Sequence, residues 1–328
     1  MRNLYYTCFY RVYLFLFRGM RKEIKIFCDN HSWDGSNMKK IQIEKDMKYW
    51  YLWKGISPTQ YWEQCFDMIP KSAKKEMLPK GELTLFHEKY NPKRDIHIVG
   101  NKYECYERFK EYYGRECMLV DNPTKISDDF EDFAQRHKKF IVKPLFKDSG
   151  VGVEIFTYRE SKTPDFPFIA EELIRQSDTL AKFHPQSVNT LRINTIRCKD
   201  SIVVWQSILR YGQGVNVVDN AHFGGCFSVI DDNGYAVAAG DVKRHKFTTH
   251  PDTGVALTGF KVPDWEQACA MVRKLATMVG GLRYIGWDLA HTDKGWILVE
   301  ANTEPGILPP MVTGNGVAKE FYNIKCRM

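Results

Sequence analysis

Two carboxylates and an amide near the end of the chain carry the clearest chemical signal. Glu300 and Asn302 lie in LVEANTEPG, residues 298 to 306, and Asp288 lies in YIGWDLA twelve positions before Glu300. Side chains alternate along a strand, so Glu300 and Asn302 face the same way. Three oxygen donors, with Asp288 on a strand that can pair beside them, suit a hard divalent cation, and their neighbours are too apolar for a solvent-facing edge. A second signal is Lys143 in FIVKPLFKDSGVGVEIF. A lysine on an apolar strand needs an anionic partner. The loop that follows, with Ser149, Gly150 and Gly152, can offer backbone N–H groups to phosphates. Alone that loop reads as a hairpin turn, and the lysine is what gives it chemical meaning. A third signal is PFIAEELIRQSD, an apolar strand that ends at Glu171 and Glu172. Such a strand end reads either as solvated chain or as a linker whose backbone holds a flat heterocycle.

The elements that must position these residues divide by texture. Residues 1 to 90 read as helical and irregular, rich in Trp, Tyr and Lys, with turn signals at Ser57-Pro58, Pro70 and Pro79-Lys80-Gly81. From Asp95 the pattern alternates: IHIVG as a short buried strand, Asn101 to Tyr113 as a helix, ECMLV as a strand, and Ser127 to Lys138 as a helix with a serine cap. Residues 139 to 242 then read as a mainly antiparallel sheet with a hairpin turn at Asp231 to Gly234. A helix over Pro263 to Gly280, apolar on one face, and two last strands complete an α+β chain in which sheets pack on helices.

In order and spacing these elements resemble the ATP-grasp superfamily over roughly residues 95 to 310, and the E-A-N-T-E-P-G block is the most specific part. Within the superfamily the sequence is similar to the sugar-transfer-associated ATP-grasp proteins, through VNTLRINTIR, LRYGQGVNVVDNAHFGG and the HPDTG…VPDW region. The resemblance implies an ATP-grasp fold. Two α+β subdomains would grip ATP over residues 95 to 325, with a hinge near 171 to 178, after a helical region at 1 to 90. Lys102 and Lys143 would bind the phosphates, and Ser149, Gly150 and Gly152 would form a lid. The hinge from Glu171 and Glu172 through Leu173 to Ile174 would hold adenine, chiefly through the main chains of Glu172 and Ile174. Asp178 would meet the ribose. Asp288, Glu300 and Asn302 would hold one or two Mg²⁺ ions, with Mn²⁺ as an alternative.

One departure stands out. D-alanine ligases carry an arginine two residues before the metal aspartate, and this chain has Gly286 there. Arg192, Arg210 and Lys243 are the cations that could steady a reacting oxyanion instead. The stretch Gly212 to Gly225, with Asn216, Asp219, Asn220 and His222, reads as a substrate-binding loop or a long hairpin connection. The implied reaction is ligation of a carboxylate to an amine or thiol through an acyl phosphate, in surface polysaccharide or sugar-conjugate synthesis. A kinase acting on a hydroxyl and a non-catalytic ATP-binding module stay open.

The net charge of +7, from 47 basic and 40 acidic residues, suits a nucleotide or an anionic membrane surface, and no nucleic-acid motif accompanies it. Nine cysteines without a CxxC pair read as reduced core thiols, which points to the cytosol. The apolar, aromatic segment Leu4 to Phe17 is too short to span a bilayer. It reads either as an interfacial anchor at the inner membrane face, followed by Arg18, Arg21, Lys22 and Lys25, or as a packed helix.

Overall fold

The computed structural model describes residues 10–16, 18–121, 128–146, 152–159, 167–214, 225–241, 244–308, 310–314 and 316–328. The chain divides into two compact units, residues 1–86 with 307–327, and residues 87–306 with Met328.

The first unit is helical. Residues 10–16 are helical, the helices Met20–Asn30 and Lys40–Lys54 pack together, and the buried residues of the unit include Ile43, Met47, Trp50, Tyr61 and Phe66, while Phe321 of the helix Ala318–Lys325 packs on Phe86. Ile43, Met47 and Trp50 recur at helical spacing, so one face of Lys40–Lys54 is buried. Asp46 organises its border: Trp50 Nε1 donates to it at 3.1 Å, Tyr61 Oη at 2.7 Å and Lys74 Nζ at 2.5 Å. This half-buried carboxylate is tolerated at the border because it has three donors.

The second unit is built on two antiparallel sheets. One has the order β1-β4-β2-β3, from Cys117–Val120 (β1), Lys139–Pro144 (β2), Glu154–Thr157 (β3) and Phe168–Glu172 (β4). Phe130 and Phe133 of the helix Asp128–His137 pack on Phe140, Phe156 and Phe168 of this sheet. The other has the order β10-β9-β5-β6-β7-β8. Its strands are Thr190–Arg197 (β5), Ile202–Tyr211 (β6), Cys226–Ile230 (β7), Ala236–Asp241 (β8), Tyr284–Thr292 (β9) and Gly295–Asn302 (β10). The helix Trp265–Thr277 covers it with Trp265, Ala268, Val272 and Leu275, the face expected from the sequence.

Two expectations need correction. IHIVG is no strand, since His97–Gly100 forms a helical turn and Asn101 Oδ1 then caps the helix Lys102–Tyr113 by accepting from the backbone N–H groups of Tyr103 and Glu104 at 3.0 and 3.2 Å. A short apolar run fits either period, and here the cap beside it decides. Residues 139–242 also do not form a single sheet. The chain leaves β4 after Glu172, and Ser177 fastens the connection to β9: its N–H donates to His291 O at 2.7 Å and its hydroxyl lies 2.8 Å from His291 Nδ1. Ser127, the expected helix cap, lies outside the described residues. Seven of the eight described cysteines are buried thiols, and Cys326 is exposed.

Candidate functional site

Three side chains line up across neighbouring strands of the six-stranded sheet. Glu300 of β10 stands opposite Asp288 of β9, which stands opposite Arg192 of β5. Arg192 grips Asp288 with both Nε and Nη2, the latter at 2.6 Å to Oδ2. Arg210 of β6 lies diagonally beside Arg192, 2.9 Å from Asp288 Oδ2, and also donates to Thr190 Oγ1 at 2.7 Å. Burial alone would raise the Asp288 carboxyl, but Arg192 and then Arg210 outweigh it and hold the group well below the usual carboxylate range. Glu300 goes the other way. Burial, and then the charge and hydrogen bond of Asp288, push it up.

Asn302 Nδ2 lies 3.4 Å from Glu300 Oε1, so the amide and both carboxylates converge. Among the described residues no group of three or more His, Cys, Asp or Glu could hold a metal. The set here is two acids and an amide, all oxygen donors. Its half-buried members, Glu300 and Asn302, lie side by side, with Glu300 opposite Asp288 on the paired strand. That chemistry fits Mg²⁺.

Gly286 explains how Arg192 reaches Asp288. A Cβ at 286 would come within 2.8 Å of Pro305 Cβ, 3.0 Å of Asn194 Oδ1 and 3.1 Å of Arg192 Cδ. The space left by the missing side chain is taken by Arg192, coming from the neighbouring strand. The turn after Asn302 is tied down as well: Asn91 Nδ2 donates to Thr303 O at 2.7 Å and to Tyr284 O at 2.6 Å, and Asn194 Nδ2 to Gly306 O at 3.3 Å.

A second cluster lies in the four-stranded sheet. Lys143 of β2 donates to Glu171 Oε2 at 2.9 Å, and Arg115 does so at 2.7 Å through Nη2 and 3.0 Å through Nε. Burial acts upward on Glu171, but Arg115 and then Lys143 outweigh it and bring its pKa down to about 2. What links the two clusters is Arg115, which also donates to Leu298 O at 2.6 Å and to Val299 O at 3.2 Å, just before Glu300. Gly152 has φ +74° and lies so close to Pro144 that a Cβ would meet its Cγ at 2.8 Å. Only glycine fits there.

The other expected residues are more dispersed. Lys102 opens the helix Lys102–Tyr113, which packs on β10. Glu172 pairs with Glu116, its N–H donating to Glu116 O at 2.9 Å. Leu173 is exposed, Ile174 half-buried, and Asp178 exposed at the start of the helical turn Asp178–Ala181. Ser149, Gly150, Asn216, Asp219, Asn220, His222 and Lys243 lie outside the described residues. The described start of the 212–225 stretch is held by His250, whose Nε2 lies 2.8 Å from Gly212 O, and His184, whose Nε2 lies 3.0 Å from Gly214 O. Sequence reasoning missed Arg115, Asn91 and Asn194. Their roles run through contacts with distant backbone and side-chain groups, which leave no local pattern.

The family model of sugar-transfer associated ATP-grasp proteins matches residues 157–326, just over half of the chain. The chain belongs to that family. It has the ATP-grasp fold. Comparison with curated proteins gives no match. Among solved structures, the ATP-grasp ligase PsnB complexed with a minimal precursor is similar at 12% identity and a TM-score of 0.45, over 73% of this chain and 63% of that one. An N5-carboxyaminoimidazole synthase from Aspergillus clavatus, in complex with ADP and 5-aminoimidazole ribonucleotide, is similar at 11% identity and a TM-score of 0.42, over 65% and 46%. A putative ATP-grasp superfamily protein from Archaeoglobus fulgidus has 16% identity and a TM-score of 0.39, over 70% and 55%. The chain thus spans less than two thirds of the length of each of these proteins.

Proposed function

We propose that this ATP-grasp protein is an ATP-dependent ligase that joins a carboxylate to an amine or thiol, forming ADP and phosphate. The observation that supports it most is the convergence of Asp288, Glu300 and Asn302 with two arginines, Arg192 and Arg210, on neighbouring strands of one sheet. In this reading residues 95–325 form the ATP-grasp domain, hinged near 171–178. Lys143 and Lys102 neutralise nucleotide phosphates, Gly152 belongs to the covering loop with Ser149 and Gly150, and the backbone from Glu171 to Ile174 holds adenine. Asp178 meets the ribose. Glu300, Asn302 and Asp288 hold Mg²⁺, which when bound offsets charge on the transferring phosphoryl group. Arg192, fixed by Asp288, and Arg210 present their remaining surface to an acyl oxyanion, with Lys243 as a third cation. Asn216, Asp219, Asn220 and His222 contact the acceptor. The family's association with sugar transfer supports a substrate from surface polysaccharide synthesis.

The first unit would bring the protein to an anionic membrane surface. Among the described residues no helix is long and apolar enough to cross a membrane.

The test is ATP-dependent phosphate release screened over carboxylate and amine pairs, with hydroxylamine present to trap acyl phosphate. A hydroxamate formed with one carboxylate supports the ligase. Phosphate transfer to a hydroxyl with no hydroxamate from any carboxylate would replace it with a kinase.

A further inference from the structure

Arg115 lies on no strand of either sheet, yet it bonds Glu171 of one cluster and the main chain just before Glu300 of the other. It follows the helix Lys102–Tyr113 and precedes β1, and its side chain is 2% exposed. All five of its N–H donors are placed on acceptors. Nε and one N–H of Nη2 meet Glu171 Oε2 at 3.0 and 2.7 Å, and the other N–H of Nη2 lies 3.2 Å from Val299 O. Nη1 meets Leu298 O at 2.6 Å and Tyr113 O at 3.1 Å. The guanidinium also stacks 4.5 Å from the centroid of the Tyr113 ring.

The two ends of this contact set matter differently. Glu171 is also the partner of Lys143 in the four-stranded sheet. At the other end, the pairing of β10 with β9 steps from Leu298 opposite Leu289 to Glu300 opposite Asp288, so Val299 is an extra residue in a bulge. A bulge re-aims the side chain that follows it, and it leaves a carbonyl without its ladder partner. Arg115 supplies that partner. Glu300 is the next residue.

We infer that Arg115 is a positioning residue that joins the two sheets across the site, holding the phosphate lysine Lys143, through Glu171, and the cation carboxylate Glu300, through the Val299 bulge, in one frame. The inference rests on the ATP and Mg²⁺ reading above. Its consequence is that Arg115 sets how strongly Mg²⁺ improves nucleotide binding. A lysine at 115 can pair with Glu171, but a single ammonium cannot also satisfy both carbonyls of the bulge.

The experiment measures the dissociation constant of a non-hydrolysable ATP analogue by isothermal titration, with and without Mg²⁺, together with the melting temperature, for the wild type, Arg115→Lys and Arg115→Met. The wild type should show a clear Mg²⁺ enhancement. In Arg115→Lys the affinity without Mg²⁺ should stay within about threefold, while the enhancement falls threefold or more. Arg115→Met should lose affinity in both conditions. A purely structural arginine would lower the melting temperature and leave the enhancement ratio of Arg115→Lys less than threefold changed, and that result overturns the inference. If Arg115→Lys does not fold, Glu171→Gln is read on the same ratio, since it keeps the shape and loosens Arg115 from the four-stranded sheet. A wild type that binds no nucleotide overturns the ATP reading, and the inference with it.

Discussion

At the scale of single residues, Asp288 and Glu300 look alike in sequence and differ in what they hold. Asp288 is wholly buried and is the shared acceptor of Arg192 and Arg210. Removing its charge leaves two arginines half-buried around a neutral amide, and breaking such a buried pair costs about 3–5 kcal/mol. Asp288→Asn should therefore melt several degrees earlier as well as lose turnover. Glu300 is penalised by burial and by Asp288, so Glu300→Gln should melt at the wild-type temperature or slightly above, and still abolish turnover at saturating Mg²⁺. Calorimetry beside a phosphate-release assay separates the two, and a normal melt for Asp288→Asn would remove the arginine-anchoring role. Glu171 carries a pH signature. Its folded pKa of about 2 lies below the ordinary value of about 4.3, so the folded state binds fewer protons. The stability it contributes, on the order of 2–3 kcal/mol, is complete above about pH 5 and is lost as the pH falls toward 2. Urea unfolding from pH 7 to pH 3 should show a shallower acid limb for Glu171→Gln than for the wild type, and equal limbs would mean that other carboxylates dominate.

At the scale of elements, the strand that lacks a side chain at 286 and the strand that supplies Arg192 act together. Gly286→Ala places a methyl 2.8 Å from Pro305, which cannot yield without moving the turn after Asn302, and 3.0 and 3.1 Å from the side chains of Asn194 and Arg192. Overpacking of this kind typically costs 1–3 kcal/mol, and here it should also displace Arg192 from Asp288. The variant should bind nucleotide near normally and turn over at least tenfold more slowly. Unchanged turnover with a normal melt would show that the site has slack the distances do not suggest. This arrangement marks how far the sequence could be read. Asp288, Glu300 and Asn302 were legible because a two-residue period on apolar strands fixes their face, and the convergence of Arg192 with Asp288 follows from one register. The helical turn at His97–Gly100 was not, because four residues satisfy either period. The division of residues 139–242 between two sheets was not either, because the break after Glu172 depends on Ser177 meeting His291 of β9, 114 positions away. Arg115 was the least legible of all, since it acts on the main chain of residues 183 and 184 positions later.

At the scale of the whole molecule, charge and exposed apolar surface are both concentrated in the first unit. Residues 1–86 and 307–327 carry 18 basic and 10 acidic side chains, against 29 and 30 in the second unit, so the first holds all of the net positive charge. On the helix Lys40–Lys54 the outward stripe is Ile41, Lys45, Tyr49 and Trp53; Ile41 and Trp53 are 63% and 65% exposed. Tyr49 and Trp53 stack with their rings nearly parallel, and Lys71 Nζ lies 5.8 Å from the Tyr49 centroid. Over residues 10–16, Phe15 faces inward onto Tyr51, while Tyr10, Tyr13 and Leu16 face out. Aromatic rings with interleaved cations are what a headgroup layer takes up, each cation near an anionic surface adding about 1 kcal/mol. The chain should therefore sediment with anionic vesicles at low salt, stay in solution with zwitterionic ones, and be released as salt shortens the Debye length. Tyr49→Ser with Trp53→Ser removes exposed rings only, so it should weaken sedimentation severalfold while the melting temperature and ATP-analogue affinity hold. A wild-type chain that never sediments with anionic vesicles, or a double variant that sediments as well as the wild type, would deny this face a membrane role.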